Sequence, residues 1–355
     1  ETIAERGIET DTRLGLTPEE VAGVAAEFDG IAVRSATKLS QAALSAGAQG
    51  QLKVVGRAGI GVDNIDVEAA TAHGILVMNT PYGNAVTTAE HAVAMMFALA
   101  RELPAADRST QTGKWEKSGF MGVELTAKVL GIIGCGNIGS IVADRAQGLK
   151  MRVIAYDPFL SPDRAKDLGV QKVELDALLE RADFITLHVP LTDQTAGILD
   201  AAALARCKAG VRIINCARGG LIVEADLKAA LESGQVAGAA LDVFEEEPAR
   251  DNPLFGIPNL ICTPHLGAAT TEAQEKVAVQ IAEQMSDYLS SGAITNAINM
   301  PSLSAEDAKR LGPYMKLVEQ LGSFAGQLTQ SGLKAVVVEY EGAVAKLNCG
   351  PLTQA

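Results

Sequence analysis

The chain has 355 residues, 48% of them hydrophobic, too many for one ordinary core and enough to fill two. With 43 acidic against 30 basic residues the formal charge is -13, which argues against nucleic acid or an anionic membrane as partner, because both would be repelled at long range. Cys135, Cys207, Cys216, Cys262 and Cys349 are odd in number and form no C-x-x-C pair, so neither a disulfide framework nor a metal site is expected, and the setting reads as reduced and cytoplasmic.

The chain opens at Glu1 without methionine in what reads as a helix, so the natural N-terminus is expected to lie further upstream. No signal peptide is visible, and the longest apolar helical run, His91 to Ala100, falls short of the roughly twenty residues of a membrane span. Thr17-Pro18-Glu19-Glu20 marks a helix start, a capping box with proline in the first turn. Apolar runs at Ile31-Ala32-Val33, Leu52-Lys53-Val54-Val55 and Ile75-Leu76-Val77-Met78 alternate with alanine-rich helical stretches, the pattern of parallel strands with crossover helices. Thr87-Thr88-Ala89-Glu90 reads as a second capping box, opening a long helix to about Arg101.

Val129 to Ile133 then runs into Gly134, Gly136 and Gly139 at the G-x-G-x-x-G spacing. After a helix-length segment, Val153-Ile154-Ala155-Tyr156 ends in Asp157, the acid that a βαβ dinucleotide site requires about twenty residues on. Gly134 suits the tight turn, Gly136 the approach of the pyrophosphate, and Gly139 close helix–strand packing, with the N–H groups at the helix start facing the phosphates. Asp157 would accept from the ribose hydroxyls and repel a 2′-phosphate, favouring NAD over NADP. A glycine-rich turn of this kind can also be purely structural, and it is the two strands and the acid around it that point to a site.

Further strands are expected at Phe184 to His188, Arg212 to Asn215, Ala239 to Val243 and Leu260 to Thr263, making the second sheet doubly wound. A long helix from about Thr270 to Ser290 follows, placed to return the chain to the first domain. From Asn299 the composition changes, and Ala335 to Tyr340 reads as the strand of a third domain.

Chemistry in such a fold sits at the carboxyl ends of strands. Arg218 follows one strand beside Gly219 and Gly220, Glu247 follows the next, and His265 follows the last, between Pro264 and Gly267. Oxidation of a secondary alcohol needs a proton acceptor as hydride leaves, and His265 titrates nearest to neutral pH. Glu247 would orient that ring and favour its imidazolium, and the fork-shaped Arg218 would clamp a substrate carboxylate. Taken singly, Arg218 reads as an ordinary surface charge and Glu247 as part of a solvated acidic face. Among the other histidines, His73 reads as a helix C-terminal residue, His91 as packed in a helix, and His188 is placed to line the cofactor crevice.

Together with Val33-Arg34-Ser35-Ala36-Thr37, the segment Val55 to Asn64, Asn79-Thr80-Pro81 and Gly113-Lys114-Trp115-Glu116, these motifs resemble the D-isomer-specific 2-hydroxyacid dehydrogenases over residues 5 to 300, and within them the branch acting on 3-phosphoglycerate. The resemblance implies an α/β protein with two doubly wound parallel-sheet domains. A Rossmann NAD domain (81–266) would be inserted into a flavodoxin-like substrate domain (1–80 and 267–298), with the start of a third α/β regulatory or intervening domain at 299–355. It implies a catalytic set of Arg218, Glu247 and His265. NAD contacts would fall on Gly134, Gly136, Asn137, Ile138, Gly139, Asp157, His188, Val189, Pro190, Cys216, Ala217, Arg218, Asp242 and the run His265, Leu266, Gly267, Ala268.

Substrate phosphate and carboxylate would be held by Arg34, Arg57, Ala58, Gly59 and Asn84 with Arg218 and His265, although either first-domain arginine also reads as a surface ion pair. The implied reaction is NAD-dependent oxidation of 3-phospho-D-glycerate to 3-phosphohydroxypyruvate, the first step of L-serine synthesis, by a cytoplasmic homodimer or homotetramer whose Lys117 reaches toward a partner subunit. The rivals are a glyoxylate, hydroxypyruvate or 2-oxoglutarate reductase of the same family, and an NAD(H)-sensing corepressor. Departures are Ile60, where many relatives have Thr, a first strand that reads as truncated, and a tail that matches only the start of an intervening domain.

Overall fold

The computed structural model describes residues 2–328, 336–347 and 349–354. The chain divides into two compact units, residues 1–84 with 271–355, and residues 85–270. The first unit holds α1 (Pro18–Val24), β1 (Gly30–Val33), α2 (Gln41–Gln49), β2 (Val54–Arg57), α3 (Val67–Ala72) and β3 (Leu76–Met78). The second holds α4 (Ala85–Ala100), α5 (Leu103–Gln111), β4 (Val129–Ile133), α6 (Asn137–Gly148), β5 (Arg152–Tyr156), α7 (Pro162–Asp167), β6 (Gln171–Lys172), α8 (Leu175–Arg181), β7 (Phe184–Leu187), α9 (Ala201–Arg206), β8 (Val211–Asn215), α10 (Glu224–Ser233), β9 (Val236–Leu241) and β10 (Leu260–Cys262). The chain then returns to the first unit through α11 (Thr271–Ser291), α12 (Ala305–Leu328) and α13 (Gly350–Gln354).

In the first unit the expected capping box forms: Thr17 Oγ1 accepts the N–H of Glu20 at 3.3 Å and Glu20 Oε2 accepts that of Thr17 at 2.8 Å. Strands β1, β2 and β3 pair in parallel in that order, Ile31 opposite Val55 and Val55 opposite Val77. Alternation along each strand decides which side chain faces which layer. Val33, Val55 and Val77 face a core with Leu39, Leu44 and Ile75. Val54, Leu76 and Met78 face Ile281 and Met285 of α11. Gly56 lets α11 lie close, since a Cβ there would stand 2.2 Å from Met285 Sδ.

The second unit is built on a parallel sheet in the order β10-β9-β8-β7-β4-β5-β6. Its direction of winding reverses between β4 and β7, which opens a crevice at their carboxyl ends, the place where such sheets bind ligands. Helices cover both faces. Met96 and Leu99 of α4 pack with Val142 and Ala143 of α6 on one, and Leu178, Leu179, Leu204 and Leu227 of α8, α9 and α10 on the other. All four residues of β7 are consequently buried.

Several local expectations shift. Helix α4 begins at Ala85, so Thr87 is inside it and is no cap; its hydroxyl lies 3.4 Å from that of Thr270. The edge strand β6 leaves no signal in the sequence, because two exposed polar residues give no apolar run. Residues 336–340 form no strand, and Val336, Val337 and Val338 are exposed; Lys334 and Ala335 lie outside the described residues. A strand needs a neighbour to satisfy its backbone, and among the described residues these valines pair with none.

Candidate active site

At the crevice, the backbone shape of the glycine loop depends on its glycines. Gly134 has φ 91°, and a Cβ on it would lie 2.6 Å from Val189 Cγ1 and 2.7 Å from the carbonyl oxygen of His188. A Cβ on Gly139 would lie 2.0 Å from the carbonyl oxygen of Gly134. Gly136 differs: nothing lies within 4 Å of the position its Cβ would take, and it caps α6 without a side-chain hydrogen bond. The loop thus presents a helix start with room for an anion, which fits the pyrophosphate of a dinucleotide. Asp157 fixes this loop from β5, one carboxylate oxygen accepting the N–H of Cys135 at 2.8 Å and the other that of Phe159 at 2.8 Å. His188, after β7, hydrogen-bonds Thr186 Oγ1 at 2.9 Å through Nε2, and burial lowers its pKa to about 4, so it stays neutral. Pro190 continues that loop, its carbonyl accepting the Thr195 hydroxyl at 2.6 Å. Ile138 packs its side chain against the core, leaving its backbone as the part available at the helix start.

After β8, Asn215 shapes the segment that carries Cys216, Ala217 and Arg218. Its side chain accepts the N–H of Ala217 at 3.0 Å and donates to the carbonyl of Arg218 at 2.8 Å. Gly219 is required here, since a Cβ would stand 1.7 Å from the carbonyl oxygen of Phe244. Arg218 Nη1 donates to the carbonyl of Ala217 at 2.6 Å.

The next two strands bring Glu247 and His265 together, with Glu247 Oε2 2.6 Å from His265 Nδ1 and Phe244 N–H donating to Glu247 Oε1 at 3.1 Å. The hydrogen bond to Glu247 raises the pKa of His265, against burial, with the charges of Glu247 and Asp242 adding and that of Arg218 opposing. Burial alone would raise Glu247, but its hydrogen bonds from His265 and Phe244 outweigh this and hold it below the usual carboxylate range.

Asp242 organises the segment around His265. It is fully buried; Oδ1 accepts the Thr263 hydroxyl at 2.5 Å and the N–H of Leu266 at 2.7 Å, and Oδ2 accepts the N–H of Gly267 at 2.7 Å. His91 Nε2 of α4 lies 3.2 Å from Oδ1. Burial pushes Asp242 up, and the donors, His91 first, overcome this and hold it below the ordinary range. Its backbone carbonyl also accepts the N–H of His265 at 2.9 Å, which sits at φ 56°. Among the described residues His91, Cys216 and Asp242 form a group whose ligating atoms lie within 4.8 Å of one another. With Asp242 already accepting from four donors and burial raising the Cys216 thiol pKa, the group works as a hydrogen-bond network rather than a metal cage.

Residues 93–267 match the NAD-binding domain of the D-isomer-specific 2-hydroxyacid dehydrogenases, and residues 310–355 the D-3-phosphoglycerate dehydrogenase intervening domain. The chain is 43% identical to D-3-phosphoglycerate dehydrogenase of Archaeoglobus fulgidus over 354 residues, covering 99% of this chain and 67% of that one. Its structure resembles a glyoxylate reductase from Paecilomyes thermophila, with TM-score 0.74, 31% identity, and coverage of 79% of this chain and 88% of the other. The chain belongs to the D-isomer-specific 2-hydroxyacid dehydrogenase family.

Within this family it is also 47% identical to D-3-phosphoglycerate dehydrogenase of Synechocystis sp., and spans 99% of its own length but 64% of that relative. The other residues expected at a family substrate site belong to the first unit. Arg34 follows β1 and is exposed, and Arg57 ends β2, with Nη1 donating to the carbonyl of Ala58 at 2.7 Å. The Arg57 guanidinium occupies the space over Gly59, whose Cβ would stand 1.4 Å from Nη1. Ile60 has its carbonyl held by Asn79 Nδ2 at 2.6 Å. Asn84 ends this part of the unit and Ala268 follows Gly267 in the other. Sequence reasoning missed His91, Thr263 and Asn215 as parts of the site. Asn215 had a signal, a polar residue ending an otherwise apolar strand, whereas His91 and Thr263 are linked to Asp242 only by the fold.

Proposed function

We propose that this chain oxidises 3-phospho-D-glycerate to 3-phosphohydroxypyruvate, with NAD as cofactor, in a cytoplasmic homo-oligomer. The observation that carries the reading is the Glu247–His265 pair at 2.6 Å, standing in a family member whose relatives at 43–47% identity are D-3-phosphoglycerate dehydrogenases. Bound NAD supplies the hydride acceptor. With Nδ1 turned to Glu247, His265 Nε2 is the nitrogen that takes the proton of the substrate C2 hydroxyl as the carbonyl forms. Glu247 stabilises the resulting imidazolium and fixes the ring. Arg218 pairs with the substrate carboxylate through its fork of N–H donors, and Arg34 and Arg57 supply charge for its phosphate. Asp242 holds Leu266 and Gly267, and Asp157 with the glycine loop holds the adenosine end of the cofactor.

The test is NADH consumption with 3-phosphohydroxypyruvate beside unphosphorylated hydroxypyruvate and 2-oxoglutarate. Strong preference for the phosphorylated acid supports the proposal. Preference for an unphosphorylated acid assigns the chain to a reductase of the same family, and NADH binding without any turnover assigns it to a sensing role.

A further inference from the structure

The sheet of the second unit has a second edge, at the amino ends of its strands, where a cavity of about 180 Å³ is lined by Val123, Lys128, Asp183, Phe184, Lys208 and Arg212. Lys128 immediately precedes β4, Phe184 begins β7, and Arg212 is the second residue of β8, whereas the glycine loop, His188 and Arg218 follow the carboxyl ends of these strands. A five-residue strand separates the two edges by roughly 16 Å, so this cavity is distinct from the cofactor crevice.

Its charge balance is unusual for a chain of net charge -13. Three cations meet one carboxylate, and that carboxylate is already engaged: Asp183 Oδ1 takes Lys208 Nζ at 3.0 Å and Oδ2 takes the N–H of Val129 at 2.8 Å. Arg212 is half-buried, its guanidinium carbon 5.7 Å from the centroid of the Phe184 ring, which it faces across the β7–β8 pair. Among the described residues no carboxylate forms an ion pair with Arg212 or with Lys128; Glu102 acts on Arg212 only through space. Burial lowers the Arg212 pKa, which marks the cost of keeping a guanidinium there without a contacting anion. The fork of Arg212 suits two oxygens of one tetrahedral or planar anion, and the two lysines add point charges beside it.

We propose that this cavity is a binding site for a small phosphate-bearing anion, held by Arg212 and Lys128 with Lys208, separate from the catalytic site. The proposal does not depend on the assigned reaction. It is tested by calorimetric titration of inorganic phosphate into NADH-saturated protein at constant ionic strength, comparing the wild type with Arg212→Gln, Lys128→Gln and Arg57→Gln.

The expected result is saturable binding in the wild type, a component of which weakens roughly tenfold or more in Arg212→Gln and Lys128→Gln, as loss of a charge-assisted contact to a desolvated anion implies. Arg57→Gln should keep that component, which separates this cavity from any phosphate held by the first unit. Glycerol 3-phosphate binding more tightly than inorganic phosphate in the wild type, with the same sensitivity to Arg212→Gln, would identify a phosphomonoester as the source of the anion. Phosphate isotherms of Arg212→Gln and Lys128→Gln that match the wild type would overturn the proposal. So would a change in sedimentation coefficient in Arg212→Gln with phosphate binding intact, since the cations would then serve a subunit contact. Should Arg212→Gln lose its native circular dichroism, Lys128→Gln, a change at a partly exposed side chain, decides alone.

Discussion

Glu247 Oε2 lies 2.6 Å from His265 Nδ1, and the other oxygen of the same carboxylate is tied to the backbone N–H of Phe244. The ring is therefore held at one nitrogen by a carboxylate that is itself held, and Nε2 is left for chemistry. His265→Ala should lower kcat by about 10² to 10⁴, the range of a general acid–base group, while NADH affinity measured by fluorescence stays nearly unchanged. Turnover at the wild-type rate would remove His265 from the mechanism.

The same pair sets a pH dependence. His265 has a raised pKa in the folded protein, chiefly through its hydrogen bond to Glu247. Oxidation needs the neutral ring, so its rate falls as pH drops through that raised value, and reduction needs the protonated ring and persists to higher pH. Glu247→Gln removes the carboxylate charge, and the acidic limb of the oxidation profile should move toward lower pH, with kcat reduced. The charges of Asp242 and Arg218 remain and oppose one another, so the shift is to be read against the wild type rather than a free histidine. Profiles of kcat/KM in both directions check this, and an acidic limb that does not move would show that Glu247 leaves the ring's proton affinity alone.

The glycines of the loop should separate by what they do. A methyl at Gly139 would collide with the Gly134 carbonyl at 2.0 Å, so Gly139→Ala should lower thermal stability as well as cofactor binding. Gly136 has open space at its Cβ position, so Gly136→Ala should lose less thermal stability than Gly139→Ala while losing NADH affinity. If Gly136→Ala binds NADH normally, the phosphates do not approach that residue.

Neutralising Arg34 or Arg57 should cost activity selectively on phosphorylated substrates. The partly buried Arg57 should matter more than the exposed Arg34, because a charge shielded from water acts more strongly. The check is the ratio of kcat/KM for 3-phosphohydroxypyruvate to that for hydroxypyruvate. A ratio unchanged from the wild type in both variants would show that neither arginine reads the phosphate.

What could be read from the chain alone follows how local each cause is. The strand into Gly134 and the capping box at Thr17 were legible because their determinants lie within a few residues of one another. Strand-end positions of Arg218, Glu247 and His265 were legible for the same reason, but the 2.6 Å contact between the last two is a product of β9 and β10 lying side by side. The capping-box pattern at Thr87 recurs inside a helix that has already begun, and at residues 336–338 β-propensity says nothing about whether a partner strand exists. The sequence around His91 specifies only a helix, and its half-buried ring reaches Asp242 and Thr263 because α4 lies against the sheet carrying them.

Asp242 offers the strictest test of that network. Its carboxylate is out of solvent, with Thr263, Leu266 and His91 on Oδ1 and Gly267 on Oδ2. In Asp242→Asn one of these oxygens becomes an NH₂ group. Whichever way the amide is turned, it faces at least one N–H donor and leaves that buried group unsatisfied, a loss of about 1–3 kcal/mol. Urea denaturation at neutral pH should show a destabilisation of that size, and kcat should fall because Leu266 and Gly267 anchor the segment that follows His265. The pH dependence fixes the cause. Because the folded-state pKa of Asp242 is depressed, its contribution is present above the unfolded value of about 4 and is lost as pH falls through the folded one. The stability gap between wild type and Asp242→Asn should therefore be widest near neutrality and close in acid. A gap that persists unchanged in acid would mean that shape, and not the ionised carboxylate, holds the His265 segment in place.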